Sequence, residues 1–147
     1  MACAASEGHL PVLQWLHANR SEECRTEDML LAAKNGHHDV VRWLHEHTGV
    51  VTDRAVAEAA RNGHFDVVQW LCTHTTVEST DGAMSNAAYS EHIDIVLWLH
   101  ENRSERYSTM VMDAASLRGN LTMLKWLRAN RPNEGYSTLG ISLLSKL

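Results

Sequence analysis

The chain has 147 residues, with 13 Lys and Arg against 18 Asp and Glu for a formal charge of −5, 44% apolar residues and only 2 Pro. That composition excludes an intrinsically disordered chain, and a chain of this length buries roughly 68–70% of its unfolded surface, enough for a core without disulfides or metal. A mildly acidic balance gives no field that draws phosphate backbones or anionic bilayers, so neither nucleic acid nor membrane is an expected partner.

The opening Met1-Ala2-Cys3-Ala4-Ala5-Ser6-Glu7 has no basic stretch or apolar run of a secretory signal. Cys3, Cys24 and Cys72 are odd in number and lack a Cys-x-x-Cys pair, which reads as free thiols in a reducing, intracellular compartment. A first unit, about residues 1–25, carries Met1 with Ala4-Ala5, then Gly8-His9-Leu10-Pro11-Val12-Leu13-Gln14-Trp15-Leu16-His17. The second, about 26–52, repeats it as Met29 with Ala32-Ala33, then Gly36-His37-His38-Asp39-Val40-Val41-Arg42-Trp43-Leu44-His45. The third, about 53–80, gives Val56 with Ala59-Ala60, then Gly63-His64-Phe65-Asp66-Val67-Val68-Gln69-Trp70-Leu71-Cys72. The fourth, about 81–108, has Met84 with Ala87-Ala88 but puts Glu91 in place of the glycine before His92, with Asp94, Ile95, Val96, Trp98, Leu99 and His100 following. The fifth, about 109–136, has Met112 with Ala115-Ser116, then Gly119-Asn120-Leu121 and on to Trp126-Leu127-Arg128. Residues 137–147 open a sixth unit whose Leu143 and Leu144 stand where the alanine pair should be, a partial unit or an end cap. The tryptophans alone mark the period, at intervals of 28, 27, 28 and 28 residues.

Each unit reads as two short helices. The first is expected to begin behind Thr26, Asp53, Asp81, Thr109 or Ser137, whose side chains accept from free amides at a helix N-terminus. It stops at Gly8, Gly36, Gly63 or Gly119, because glycine takes the left-handed conformation that other residues resist. The second carries Asp39, Asp66 or Asp94 in its first turn against the positive dipole end, or Pro11. Its Val40, Val41, Trp43 and Leu44 fall on one face of a 3.6-residue period. Strand-type alternation is absent. Neither short helix buries its face alone, so the units must stack into an all-α solenoid spanning residues 1–147 as one domain.

The Ala-Ala-x-x-Gly-His-x-x-Val-Val-x-x-Leu phrase is similar to the helix–turn–helix core of ankyrin repeats, over residues 1 to about 128. Tetratricopeptide and HEAT units need longer periods, and the Leu-x-Leu strand phrase of leucine-rich repeats is missing. Two departures stand out. The family's Thr-Pro-Leu-His opening is replaced by Glu27-Asp28-Met29-Leu30 and Arg54-Ala55-Val56-Ala57, and the period falls about five residues below the usual 33. The deficit lies after the second helix, so β-hairpin fingers should be short or absent. The shortened, tryptophan-rich form resembles the large ankyrin arrays of oomycetes.

Ten histidines raise the question of metal. Zinc wants four converging ligands, whereas His9, His37, His64 and His92 recur one per unit after the turn position, where the resemblance implies an imidazole that ties the loop backbone. No metal and no other cofactor is expected. The tryptophans belong by pattern to the packed face rather than to an aromatic cage. No nucleophile elbow surrounds any Ser and no phosphate-binding glycine pattern occurs, so the chain does not read as an enzyme.

The units share packing positions and disagree at the two residues before the turn: Ser6-Glu7, Lys34-Asn35, Arg61-Asn62, Tyr89-Ser90 and Leu117-Arg118. The resemblance implies that these line a concave groove, basic at Lys34, Arg61 and Arg118. The expected function is protein–protein interaction with an acidic, extended partner segment; the alternative is a structural spacer within a longer array. Incomplete ends, with Val12, Leu13 and Leu16 on one side and Ile141, Leu143, Leu144 and Leu147 on the other, suggest weak end-to-end self-association.

Overall fold

The computed structural model describes residues 1–19, 23–103, 108–130 and 137. Among them ten helices follow in pairs: α1 (Ala2–Ser6) with α2 (Leu10–Asn19), α3 (Thr26–Lys34) with α4 (His38–Thr48), α5 (Asp53–Arg61) with α6 (Phe65–His74), α7 (Asp81–Tyr89) with α8 (Ile93–Asn102), and α9 (Thr109–Leu117) with α10 (Leu121–Asn130). The described residues contain no strand, and no helix is long and apolar enough to cross a membrane.

The odd-numbered helices form a tight inner layer, each touching its counterparts in the neighbouring units, whereas the even-numbered helices touch one another only sparingly. Side-chain size explains the difference. Ala32, Ala33, Ala59, Ala60, Ala87 and Ala88 are all fully buried and let the inner helices approach, while Val, Leu and Trp on the second helices hold the outer layer apart. Closer spacing on one side bends a stack toward that side, so the first helices line the inner face. The core runs continuously from Ala4 and Ala5 through Val40, Val68 and Val96 to Leu127, as expected where each unit buries its apolar face only against its neighbours.

Every first helix ends as foreseen. Gly8, Gly36, Gly63 and Gly119 have φ between 68° and 78°, and the residue after each donates back to the helix, as in His37 N–H to Ala32 O at 3.0 Å and His64 N–H to Ala59 O at 3.0 Å. Paired with the glycine's own bond to Ala33 or Ala60, this is the double closure that satisfies last-turn carbonyls. Glu91 makes the same turn at φ 67°, the one non-glycine residue at positive φ among those described.

The helix starts lie one residue earlier than anticipated. Thr26, Asp53, Asp81 and Thr109 are the first helical residues, not the caps. Thr52 and Ser108 cap instead, accepting from Ala55 N–H at 3.2 Å and Met110 N–H at 3.3 Å, while Asp28 reaches back to the Arg25 amide at 2.8 Å. The carboxylates freed from capping tie units together. Asp53 accepts from the Glu78 and Ser79 amides at 3.2 and 3.3 Å, and Asp81 from the Ser108 amide at 2.9 Å. Ser137 donates to Asp113 at 2.7 Å; the helix expected behind it lies outside the described residues.

The tryptophans also depart from expectation. Trp43 is 8% exposed, Trp70, Trp98 and Trp126 are partly buried, and Trp15 is 61% exposed. Each indole after the first is covered by the unit before it. His17 packs edge-on against Trp43 at 5.2 Å, His45 against Trp70 at 5.6 Å and His100 against Trp126 at 4.9 Å. Trp15, in the first unit, has no such ring neighbour among the described residues. Val12 is exposed beside it, but Leu13, expected to lack partners, is fully buried. Ile141, Leu143, Leu144 and Leu147 lie outside the described residues.

Candidate functional site

The junction between units is set by the histidine after each turn. Its Nε2–H donates to a carbonyl in the last turn of the preceding first helix: His37 to Ser6 O at 2.8 Å, His64 to Lys34 O at 2.9 Å and His92 to Arg61 O at 3.2 Å. Since a carbonyl only accepts, the bond fixes the protonated nitrogen of each ring. The same carbonyls belong to the variable residues of the inner face, so these histidine bonds hold that edge in register.

Lys34, Asn35, Arg61, Asn62, Tyr89, Leu117 and Arg118 are exposed and Ser90 half-buried. Lys34 and Arg61 occupy the same place in successive units, the last residue of α3 and of α5, and neither forms an ion pair with another described residue. Their neighbouring asparagines differ. Asn35 Nδ2 crosses to the first unit, donating to Ser6 O at 2.8 Å and Ser6 Oγ at 3.0 Å, while Asn62 donates to Glu58 O within its own helix at 2.8 Å.

The far end of the row is committed within the protein. Arg118 lies 3.7 Å from the Glu91 carboxylate and 5.2 Å over the Tyr89 ring, an ion pair and a cation–π contact. Tyr89 at 42% and Leu117 at 55% exposure give this end an aromatic and apolar character that units two and three lack. The row expected to be basic at Lys34, Arg61 and Arg118 is therefore two-part: open cations at Lys34 and Arg61, then an aromatic patch in which Arg118 is neutralised. Sequence comparison among units does not show this, because the pairing of Glu91 with Arg118 joins residues 27 positions apart across a junction.

At this fourth junction the clamp is missing. Asn120 stands where His37, His64 and His92 stand, and its Oδ1 accepts from Met123 N–H at 3.0 Å in its own helix. The glycine and the histidine have thus both been replaced at one boundary, as Glu91 and Asn120.

His17, His38, His45, His47, His74 and His100 all pack against tryptophans. His47 stacks on Trp43 at 4.3 Å and His74 on Trp70 at 5.0 Å, each Nδ1–H donating to the carbonyl of the tryptophan four residues earlier, at 2.9 and 3.1 Å. Among the described residues no three His, Cys, Asp or Glu side chains are grouped to hold a metal ion. Cys3, Cys24 and Cys72 are free thiols.

Family models match nearly the whole described chain: one for ankyrin repeats in three copies over residues 1–82, and one for ankyrin repeats in many copies over residues 84–128. The chain belongs to the ankyrin-repeat family. No curated protein matches it. Ankyrin repeats are generally protein–protein interaction modules, and families built from them are typically non-enzymatic.

Proposed function

We propose that the inner face binds an extended acidic segment of another protein, with Lys34 and Arg61 taking its carboxylates and Tyr89 with Leu117 taking an apolar side chain. Asn35, Asn62, Ser90 and Arg118 border this track. The observation that carries the reading is the placement of Lys34 and Arg61 at one register of adjacent helices, exposed and without an ion-pair partner among the described residues. Arg adds a planar fork suited to bidentate carboxylate contact, and Tyr is a residue type enriched at binding hot spots.

The test is capture of a fluorescent Glu-rich peptide followed by anisotropy. Charge reversal at Lys34 and Arg61 together should weaken binding by on the order of tenfold or more, since charge-assisted hydrogen bonds are worth about 1.5–3 kcal/mol each. Added salt should weaken it as well. Arg118→Glu should do less, because that guanidinium already has partners. If the double reversal leaves capture unchanged, the inner face is solvated surface and the domain is a spacer.

A further inference from the structure

The second helices carry a recurring carboxylate, Asp39, Asp66 and Asp94 in the first turns of α4, α6 and α8. Because second helices stand apart, open grooves run between them. One of about 300 Å³ lies between α2 and α4, lined by Leu10, His38, Asp39, Arg42, Trp43 and Glu46. The next, of about 410 Å³, lies between α4 and α6, lined by His38, Asp66, Gln69, Trp70, Thr73 and His74. Both are built on one plan, with an aspartate in the first turn of the later helix and a tryptophan one turn on.

They differ in the charges beside the aspartate. In the first groove Arg42 pairs with Glu46 at 3.5 Å, which leaves Asp39 without an ion pair among the described residues. In the second, Gln69 and Thr73 occupy those positions, and no Lys or Arg lines the groove around Asp66. Its wall is aromatic: His74 lies nearly parallel to Trp70 at 5.0 Å, and His38 meets Trp70 edge-on at 6.1 Å. An exposed carboxylate beside an indole is the environment that a guanidinium or ammonium seeks, combining ion pairing with attraction to the ring. The half positive charge of the α6 N-terminus offsets only part of the full charge on Asp66. Asp39 and Asp94 repeat the carboxylate in the units on either side, and all three are exposed.

We infer that this outer face is a second interaction surface, which binds a basic extended segment of another protein with one Arg or Lys seated between Asp66 and Trp70. The repeat sets the partner's spacing. The second helices touch only sparingly, which puts them at the wide end of the usual packing distance, about 10 Å, and extended chain advances about 3.1–3.4 Å per residue. A cation at every third residue therefore meets Asp39, Asp66 and Asp94 in turn.

The probe is a labelled peptide with Arg at every third position between Gly and Ser, set against a control of equal composition with its Arg clustered. Binding to the whole protein is followed by anisotropy. The spaced peptide should bind more tightly than the clustered one. Asp66→Asn should weaken it by on the order of tenfold, and Asp66→Glu should retain most of the affinity, which separates lost charge from lost fold. Charge reversal at Lys34 and Arg61 should leave it unchanged, so this proposal and the inner-face reading fail independently. No binding, equal binding of the clustered control, or an Asp66→Asn effect under twofold each overturns it. So does self-association that depends on Asp66 while the peptide fails to bind, which would assign the face to a second copy of the chain.

Discussion

His64 occupies the space that a β-carbon on Gly36 would need: such a carbon would lie 2.5 Å from the ring Nδ1. The glycine is thus required twice, by its positive φ and by a ring arriving from the next unit. Gly8 with His37 and Gly63 with His92 repeat the relation at 2.5 and 2.6 Å, whereas at Gly119 no described residue comes within 4 Å of that position. Gly119→Ala should cost about 1 kcal/mol, the strain of a left-handed side chain. Gly36→Ala should cost about 1 kcal/mol more, because the ring must leave and its bond to Lys34 O is worth roughly 0.5–1.5 kcal/mol. Urea melts measure both, and equal losses would show that the histidine contributes nothing there.

Glu91 and Asn120 should behave as a pair. Glu91→Gly relieves backbone strain but gives up a half-exposed ion pair with Arg118, so a net gain of roughly 0.5 kcal/mol is expected. Asn120→His alone brings a ring against the Glu91 side chain and should destabilise. The two changes together should restore the clamp, with a favourable coupling of about 1 kcal/mol or more in a double-mutant cycle. Simple additivity would count against a steric link.

Tryptophan effects should follow burial rather than sequence pattern. Trp43→Ala is expected to cost about 3–5 kcal/mol, and Trp15→Ala to stay within about 0.5 kcal/mol as a surface change. Iodide should quench Trp15 and spare Trp43, read from single-tryptophan variants. Uniform quenching would contradict the interunit packing.

Burial, followed by the nearby Asp28 carboxylate, pushes the Cys24 thiol above its usual range. A raised pKa in the fold means that the neutral thiol is favoured there. Its stabilising contribution is complete below the unfolded thiol's pKa and is lost as pH rises toward the folded value. Near neutral pH it is fully present, and stability should fall at alkaline pH. The direct check is alkylation at about pH 8, where the thiolate is the reactive species: exposed Cys3 should react faster than Cys24. Equal rates would refute the shift.

Much of this architecture was legible in the sequence, because stacking imposes a period that residues such as Gly36, His37 and Trp43 repeat openly. The turn residues and alanine pairs carry local requirements, a positive φ or a close approach, and so identify themselves. Caps were displaced because Thr52 and Asp53 both suit a helix start, and only the cross-unit bonds of Asp53 decide between them. Burial of the tryptophans is only partly legible, since a helical stripe shows which way Trp15 points but not what lies against it. The internal ties of Arg118 depend on Glu91, which is three-dimensional information. One clue was available: Glu91 and Asn120 break the pattern at positions that a single junction joins.

The histidine clamps all point the same way, from each unit back to the one before it, and this gives the array a mechanical polarity. A junction severed on its C-terminal side strands a carbonyl that water can satisfy and the space over the turn glycine, while one severed on its N-terminal side strands an imidazole. Three junctions are latched in this manner and the fourth, between Glu91 and Asn120, is not. Opening should therefore begin with α9 and α10 and run toward α1, and native-state hydrogen exchange should find their amides the first to be released among the five units. A pull applied to the far end would thus meet its least resistance beside Tyr89 and Leu117, so that tension on the chain would loosen the aromatic end of the inner face while the Lys34 and Arg61 end kept its shape.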